Sequence, residues 1–138
     1  MILVDTGFWL ALANSKDAHH KIAQSKLNKL KEPMITTWPV LTETCHLLLN
    51  RMGVDAQQRF LLSWETGAFQ VHAVPDKQIP RIRALMEKYS DLPMDLADAS
   101  LVLLAEHLGH GRILSTDQRD FQTYRWKNHH PFENILLR

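Results

Sequence analysis

The first fourteen residues, MILVDTGFWLALAN (residues 1–14), decide the fold. Met1 to Val4 is a short apolar run without polar alternation, the pattern of a strand covered on both faces. Phe8 to Ala13 has the apolar density of a short helix, so Asp5-Thr6-Gly7 is the turn from strand into helix. An acid at that turn can cap the helix, ligate a metal or serve in a catalytic loop. The rest of the chain has to choose among them.

Working outward, residues 17–31 (DAHHKIAQSKLNKLK) place Ala18, Ile22, Ala23, Leu27 and Leu30 on one apolar stripe opposite four lysines, an amphipathic helix ended by Pro33. MITT (34–37) reads as a second strand. Thr37 then caps a helix that tolerates Pro39 in its first turn and runs to about Asn50, with Gly53 ending it. VDAQQRFLLSWE suggests a further helix with Asp55 near its cap, and AFQVHAV alternates as a strand. A helix is predicted from about Asp76 to Tyr89, and a strongly apolar one from Asp95 to Leu108, stopped by Gly109 and Gly111. RILST and ENILL are short strands. Strands alternating with helices predict a doubly wound α/β domain with a mainly parallel sheet, residues 1–138 forming one domain.

Composition narrows the class. The chain has 138 residues, 45% of them apolar, enough to bury a core without staples. Cys45 is the only cysteine, which excludes an internal disulfide. No stretch approaches the roughly 18 consecutive apolar residues of a membrane helix, and the initial run is too short for a signal segment. A soluble, cytoplasmic protein is the expectation. Sixteen Lys plus Arg against 15 Asp plus Glu leave a formal charge of +1, so only local patches can announce a nucleic-acid partner.

The acids recur in a pattern. Glu43 lies among Val40, Leu41 and Leu47, where a carboxylate is costly unless paired, solvated or bound to a cation. Asp95 suits an N-cap and Asp98 the third position of that helix. Asp117 follows RILST as Asp5 follows MILV, and Asp120 stands three residues on. If the two strands are parallel neighbours, Asp5 and Asp117 emerge at one carboxyl edge, where open α/β sheets bind ligands. Converging carboxylates repel unless a cation offsets them, and hard oxygen donors favour Mg²⁺ or Mn²⁺. The Asp-Thr-Gly signature also resembles retroviral-type aspartic proteases, in which two aspartates share a proton. Those are β-rich, whereas helical patterning follows Gly7 here. Gly7 also stands where aspartyl phosphotransferases place a second Asp.

The set Asp5, Glu43, Asp98 in LADAS and Asp117 in STDQRDF, in order and spacing over nearly the whole chain, resembles the PIN-domain family. Within it the resemblance points to the VapC-type toxin ribonucleases of type II toxin–antitoxin systems. It implies a three-layer α/β/α domain with a five-stranded sheet ordered 3-2-1-4-5, and a Mg²⁺- or Mn²⁺-dependent endoribonuclease site at the carboxyl edge. Asp5, Glu43, Asp98 and Asp117 are then the catalytic acids. Asp5, Asp98 and Asp117 hold the ion, and Glu43 joins them directly or through water. Thr6, Thr116 and Asp120 are supporting residues.

The resemblance also implies an RNA substrate, a homodimer and a small antitoxin of the VapB type. Trp38, Leu47, Phe60, Leu61 and Trp64 offer apolar surface for a subunit interface. Arg112, Arg119, Arg125 and Lys127 lie around the fourth acid in sequence and are the candidates for holding phosphates. The competing function is a noncatalytic PIN-fold module that binds a partner and is indifferent to Mg²⁺.

Overall fold

A computed structural model describes residues 1–137. Its strands are β1 (Ile2–Val4), β2 (Met34–Thr37), β3 (Phe69–His72), β4 (Arg112–Leu114), β5 (Arg125–Trp126), β6 (His130–Pro131) and β7 (Glu133–Asn134). Its helices are α1 (Thr6–Ala13), α2 (His20–Lys29), α3 (Trp38–Met52), α4 (Val54–Glu65), α5 (Ile79–Lys88), α6 (Leu96–Leu108) and α7 (Gln118–Thr123). The main sheet runs β3-β2-β1-β4-β7 with every pairing parallel. Counted by sheet strands alone, this is the expected order 3-2-1-4-5, because β5 and β6 form a separate antiparallel hairpin.

The sheet is buried on both faces, and successive side chains of β1 divide between them as a period of two requires. Leu3 packs with Ile35 and Ile113 against Ile82 and Leu85 of α5, Leu101 and Leu104 of α6, and Phe121 of α7. Ile2 and Val4 pack with Met34 and Leu114 against Phe8 and Trp9 of α1, Leu48 of α3 and Phe60 of α4. Helices therefore cover both faces, giving the three layers. No helix among the described residues is long and apolar enough to cross a membrane.

Local chemistry sets the boundaries. The second helix begins at His20, three residues later than the stripe predicts. Asp17 accepts from the His19 N–H at 2.8 Å and so holds a turn that competes with the helix. His20 then ties α2 to the end of α1 through the Ala11 carbonyl, 2.7 Å from its Nδ1. Gly53, at φ +95°, both closes α3, donating to the Leu48 and Leu49 carbonyls, and precedes α4; Asp55 sits inside the first turn and is not the cap. Pro80 falls in the first turn of α5, after a short 3-10 turn at Asp76–Gln78.

Between RILST and the last strand the sequence leaves helix or loop open, and the β5–β6 hairpin has no counterpart in it. The α7 helix is only six residues long, and the β5–β6 strands have two residues each, too short to show a period. The hairpin turn puts Lys127 and Asn128 at positive φ (49° and 66°) without a glycine to signal it.

Candidate functional site

Val4 pairs with Leu114 in the β1–β4 register, so the next residues, Asp5 and Ser115, leave the sheet side by side. The Asp5 N–H extends the ladder to the Leu114 carbonyl at 3.0 Å. Asp5 caps α1 through Oδ1, which accepts from the Thr6 N–H at 2.8 Å, while Oδ2 accepts from the Ser115 hydroxyl at 3.0 Å. The same Ser115 oxygen accepts from the Asp117 N–H at 2.9 Å. One buried hydroxyl thus ties the first acid to the fourth. Asn134 of β7 fixes Ser115 in turn, its side chain donating to the Ser115 carbonyl at 2.9 Å and accepting from the Ser115 N–H at 3.4 Å.

Gly7 is required by the same junction. A Cβ at Gly7 would lie 1.9 Å from Thr116 Oγ1. The absence of a side chain lets the start of α1 approach the β4–α7 turn. Gly7→Ala is expected to destabilise the protein by about 1–3 kcal/mol through overpacking, and Thr116→Ala in that background to recover part of the loss. Urea unfolding of the two variants checks this; an unchanged midpoint for Gly7→Ala would contradict it.

Glu43 and Asp98 arrive from opposite layers. The Thr37 hydroxyl caps α3, accepting from the Val40 N–H, and donates to Ser100 Oγ at 2.6 Å; Ser100 donates onward to the Ala97 carbonyl. This buried chain pins the start of α3 to the first turn of α6. Asp95 is the cap of α6, accepting from the Asp98 N–H at 2.8 Å, which leaves the Asp98 carboxylate for other work. Asp98 Oδ2 accepts a 2.7 Å hydrogen bond from the Tyr124 hydroxyl. Glu43 is half-buried, has no hydrogen-bond partner among the described residues, and lines a groove of about 560 Å³ with Trp38, Thr42, His46 and Leu96. A second hollow, about 350 Å³, lined by Trp9, Leu27, Leu48 and Phe60, holds none of the four acids.

The electrostatics show that the acids share one region. Burial pushes the Asp5 carboxyl up to about 7; the Thr6 and Ser115 hydrogen bonds oppose the rise, and the charges of Glu43 and Asp117 add to it. Burial likewise pushes Asp98 up to about 8, opposed by Tyr124 and reinforced by Asp5, Asp95 and Asp117. Asp117 is raised by burial; the Asp120 N–H opposes the rise, the Asp120 carboxyl adds to it, and Arg119 lowers it. Asp117 caps α7 through the Asp120 N–H at 3.1 Å. Burial and the neighbouring Asp98 keep the Tyr124 phenol far above its ordinary range, so it remains a donor.

Among the described residues, no three His, Cys, Asp or Glu side chains are spaced to hold an ion directly. The donor chemistry does fit a hard divalent cation. It consists of carboxylate oxygens only, two of them raised far above the usual carboxylate range by burial, where a 2+ charge offsets what burial and repulsion penalise. Asp5, Asp98 and Asp117 are the acids that would have to draw closer together to hold it, with Glu43 alongside.

The other expected residues divide. Thr6 is buried, its hydroxyl 3.4 Å from that of Thr44 on α3. Thr116 packs on Gly7, and Asp120 is buried against Asp117. Arg119, on α7, pairs with Asp120 at 3.0 Å and acts on Asp117, so it is a cation brought to the acids. Arg112 is not, because it begins β4 at the opposite edge of the sheet and pairs with Glu32 at 2.7 Å. Arg125 spends its guanidinium on the carbonyls of Gln122, Thr123 and Tyr124 at the end of α7. The Lys127 N–H donates to Glu106, eight residues and about 12 Å along α6 from Asp98. Nearness in sequence to Asp117 thus leaves these three with hydrogen-bond partners other than the four acids. Ser115, Asn134 and Tyr124 were not anticipated; only Ser115, two residues before an expected acid, had a local signal.

Comparison with known proteins bears on the family and the fold. The PIN domain family model matches residues 2–127. Ribonuclease VapC26 of Mycobacterium tuberculosis is 26% identical over 124 residues, covering 90% of this chain and 92% of its own length. The crystal structure of M. tuberculosis VapC20, described as a sarcin-ricin loop cleaving toxin, superposes with a TM-score of 0.79 at 24% identity. That match spans 86% of this chain and 92% of that one, and it bears on the fold.

Proposed function

The chain belongs to the PIN-domain family, and from that premise we propose that it is a divalent-metal-dependent endoribonuclease acting as the toxin of a VapBC-type pair. The observation that supports the reading is that acids from separate segments act on one another's charge near one edge of the sheet, Glu43 and Asp117 on Asp5 and both Asp5 and Asp117 on Asp98, with Asp5 and Asp98 raised to about 7 and about 8. The names of the relatives, a ribonuclease and a sarcin-ricin loop cleaving toxin, support it.

In this reading Asp5, Asp98 and Asp117 bind Mg²⁺ or Mn²⁺, and Ser115 orients Asp5 by donating to its second oxygen. The bound cation supplies activation of a water and neutralisation of charge developing at the scissile phosphate. Glu43, with no hydrogen-bond partner to satisfy among the described residues, is the carboxylate that orients the attacking water and takes its proton. Arg119 and the rim of the groove beside Glu43 meet the RNA backbone. The partners in this reading are an RNA substrate, a small antitoxin of the VapB type that covers the acids, and a second copy of the chain. Of the apolar residues expected at that interface only Trp38 is among the exposed ones, since Phe60 is buried in the core and Trp64 packs against it; the surface offered to that second copy is Trp38, Leu49, Met52, Val54 and Leu62, all exposed on α3 and α4.

The test is incubation of the purified protein with single-stranded RNA, structured RNA and DNA in Mg²⁺, Mn²⁺ or EDTA. RNA cut with either ion and spared in EDTA is the expected result. Cutting that persists in EDTA would overturn the metal-dependent scheme, and no cutting under any condition would favour a partner-binding module on the same fold.

A further inference from the structure

Tyr124 joins two of the acids through α7. Its ring is fully buried, edge-on to Tyr89 (centroids 5.0 Å, 69°) and to Phe121 (5.2 Å, 86°). Its backbone N–H closes α7 on the Asp120 carbonyl at 2.9 Å, and its hydroxyl donates to Asp98 Oδ2 at 2.7 Å. Asp117 caps the other end of the same helix. This six-residue helix therefore has one acid at its start and, at its end, a phenol bonded to another acid. Tyr89 braces the far side, its hydroxyl accepting from the Arg125 N–H at 3.0 Å.

A phenol buried in a core needs only one acceptor, and a backbone carbonyl would serve. Here the acceptor is an acid of the candidate site, 26 residues away in the chain. An aspartate has two side-chain torsions, and one surrounded by like charges turns away from them unless something holds it. A donor on Oδ2 fixes the carboxylate plane and leaves Oδ1 without a hydrogen-bond partner among the described residues. We propose that Tyr124 is a positioning residue: its hydroxyl presets the Asp98 carboxylate for a divalent cation, and α7 sets the spacing between Asp98 and Asp117. The inference rests on the reading that Asp98 helps hold that cation.

Tyr124→Phe removes the hydroxyl and keeps the ring, so the packing against Tyr89 and Phe121 persists. Mn²⁺ titration of the RNA-free protein, followed by electron paramagnetic resonance, should show affinity lowered by roughly 10- to 100-fold. The Mg²⁺ concentration for half-maximal RNA cleavage should rise in step, with KM for RNA at saturating Mg²⁺ unchanged. In an Asp98→Asn background, Tyr124→Phe should cost no further Mn²⁺ affinity, because the group it positions is gone. Tyr124→Phe that lowers only the melting temperature and binds Mn²⁺ like the unaltered protein would overturn the inference alone. Asp98→Asn that leaves Mn²⁺ affinity unchanged would overturn it together with the reading beneath it.

Discussion

Asp5→Asn is expected to slow Mg²⁺-dependent RNA cleavage by roughly 100- to 1000-fold, the loss of about 3–4 kcal/mol of transition-state stabilisation that a well-held cation supplies. The substitution is nearly isosteric. An asparagine oxygen can still accept from the Thr6 N–H and so keep the cap on α1. What disappears is a negative charge, one of the three that draw a cation to the site in the proposed scheme. Single-turnover cleavage at saturating Mg²⁺ measures the effect. A variant retaining more than about a tenth of the original rate would remove Asp5 from the machinery, since a lost tenfold is only 1.36 kcal/mol.

The second large effect is on stability, and its sign is opposite to that of an ordinary salt-bridged carboxylate. Asp5 and Asp98 are raised from 3.8 to about 7 and about 8 in the folded protein. Between those limits the folded state binds more protons than the unfolded one, so stability falls as pH rises. The contribution is complete below about pH 4, declines through neutrality and is gone above about pH 8. For Asp5, only 7% exposed, the ceiling is roughly 4 kcal/mol. In EDTA the melting temperature should therefore drop by several degrees between pH 5.5 and pH 8. Mg²⁺ at about 100 times its Kd should return roughly 2.7 kcal/mol at the upper pH and far less at the lower, where protons compete for the same oxygens. Asp5→Asn should flatten the profile and melt higher than the original protein at pH 8 without metal. A flat profile in EDTA would mean that the acids are better solvated than their burial implies.

These two results belong together physically. A site that costs stability when its acids are charged, and works only when they are, is a site held open for a cation. The same substitution is expected to harm activity and to help the fold.

Much of this was determined by the sequence alone. The apolar run Met1–Val4 followed by an acid and a helix places Asp5 at the end of a buried strand, and RILST places Asp117 likewise. Parallel strands joined by helical crossovers bring both acids to one edge when the two strands are neighbours, so the mainly parallel sheet was legible from local periodicity, whereas the strand order and the full set of four acids came with the resemblance to the PIN-domain family. The caps Thr37 and Asp95 were legible for the same reason, since a helix terminus is a local event.

Only the tertiary structure decided what surrounds the acids. Arg112 is five residues from Asp117, yet β4 points it to the far edge, where Glu32 holds it. Tyr124 and Ser115, by contrast, reach acids 26 and 110 residues away. Secondary structure is set by the interactions of near neighbours, whose spacing is written along the chain. Partners across a site are set by where separate elements cross, and that depends on the packing of the whole core.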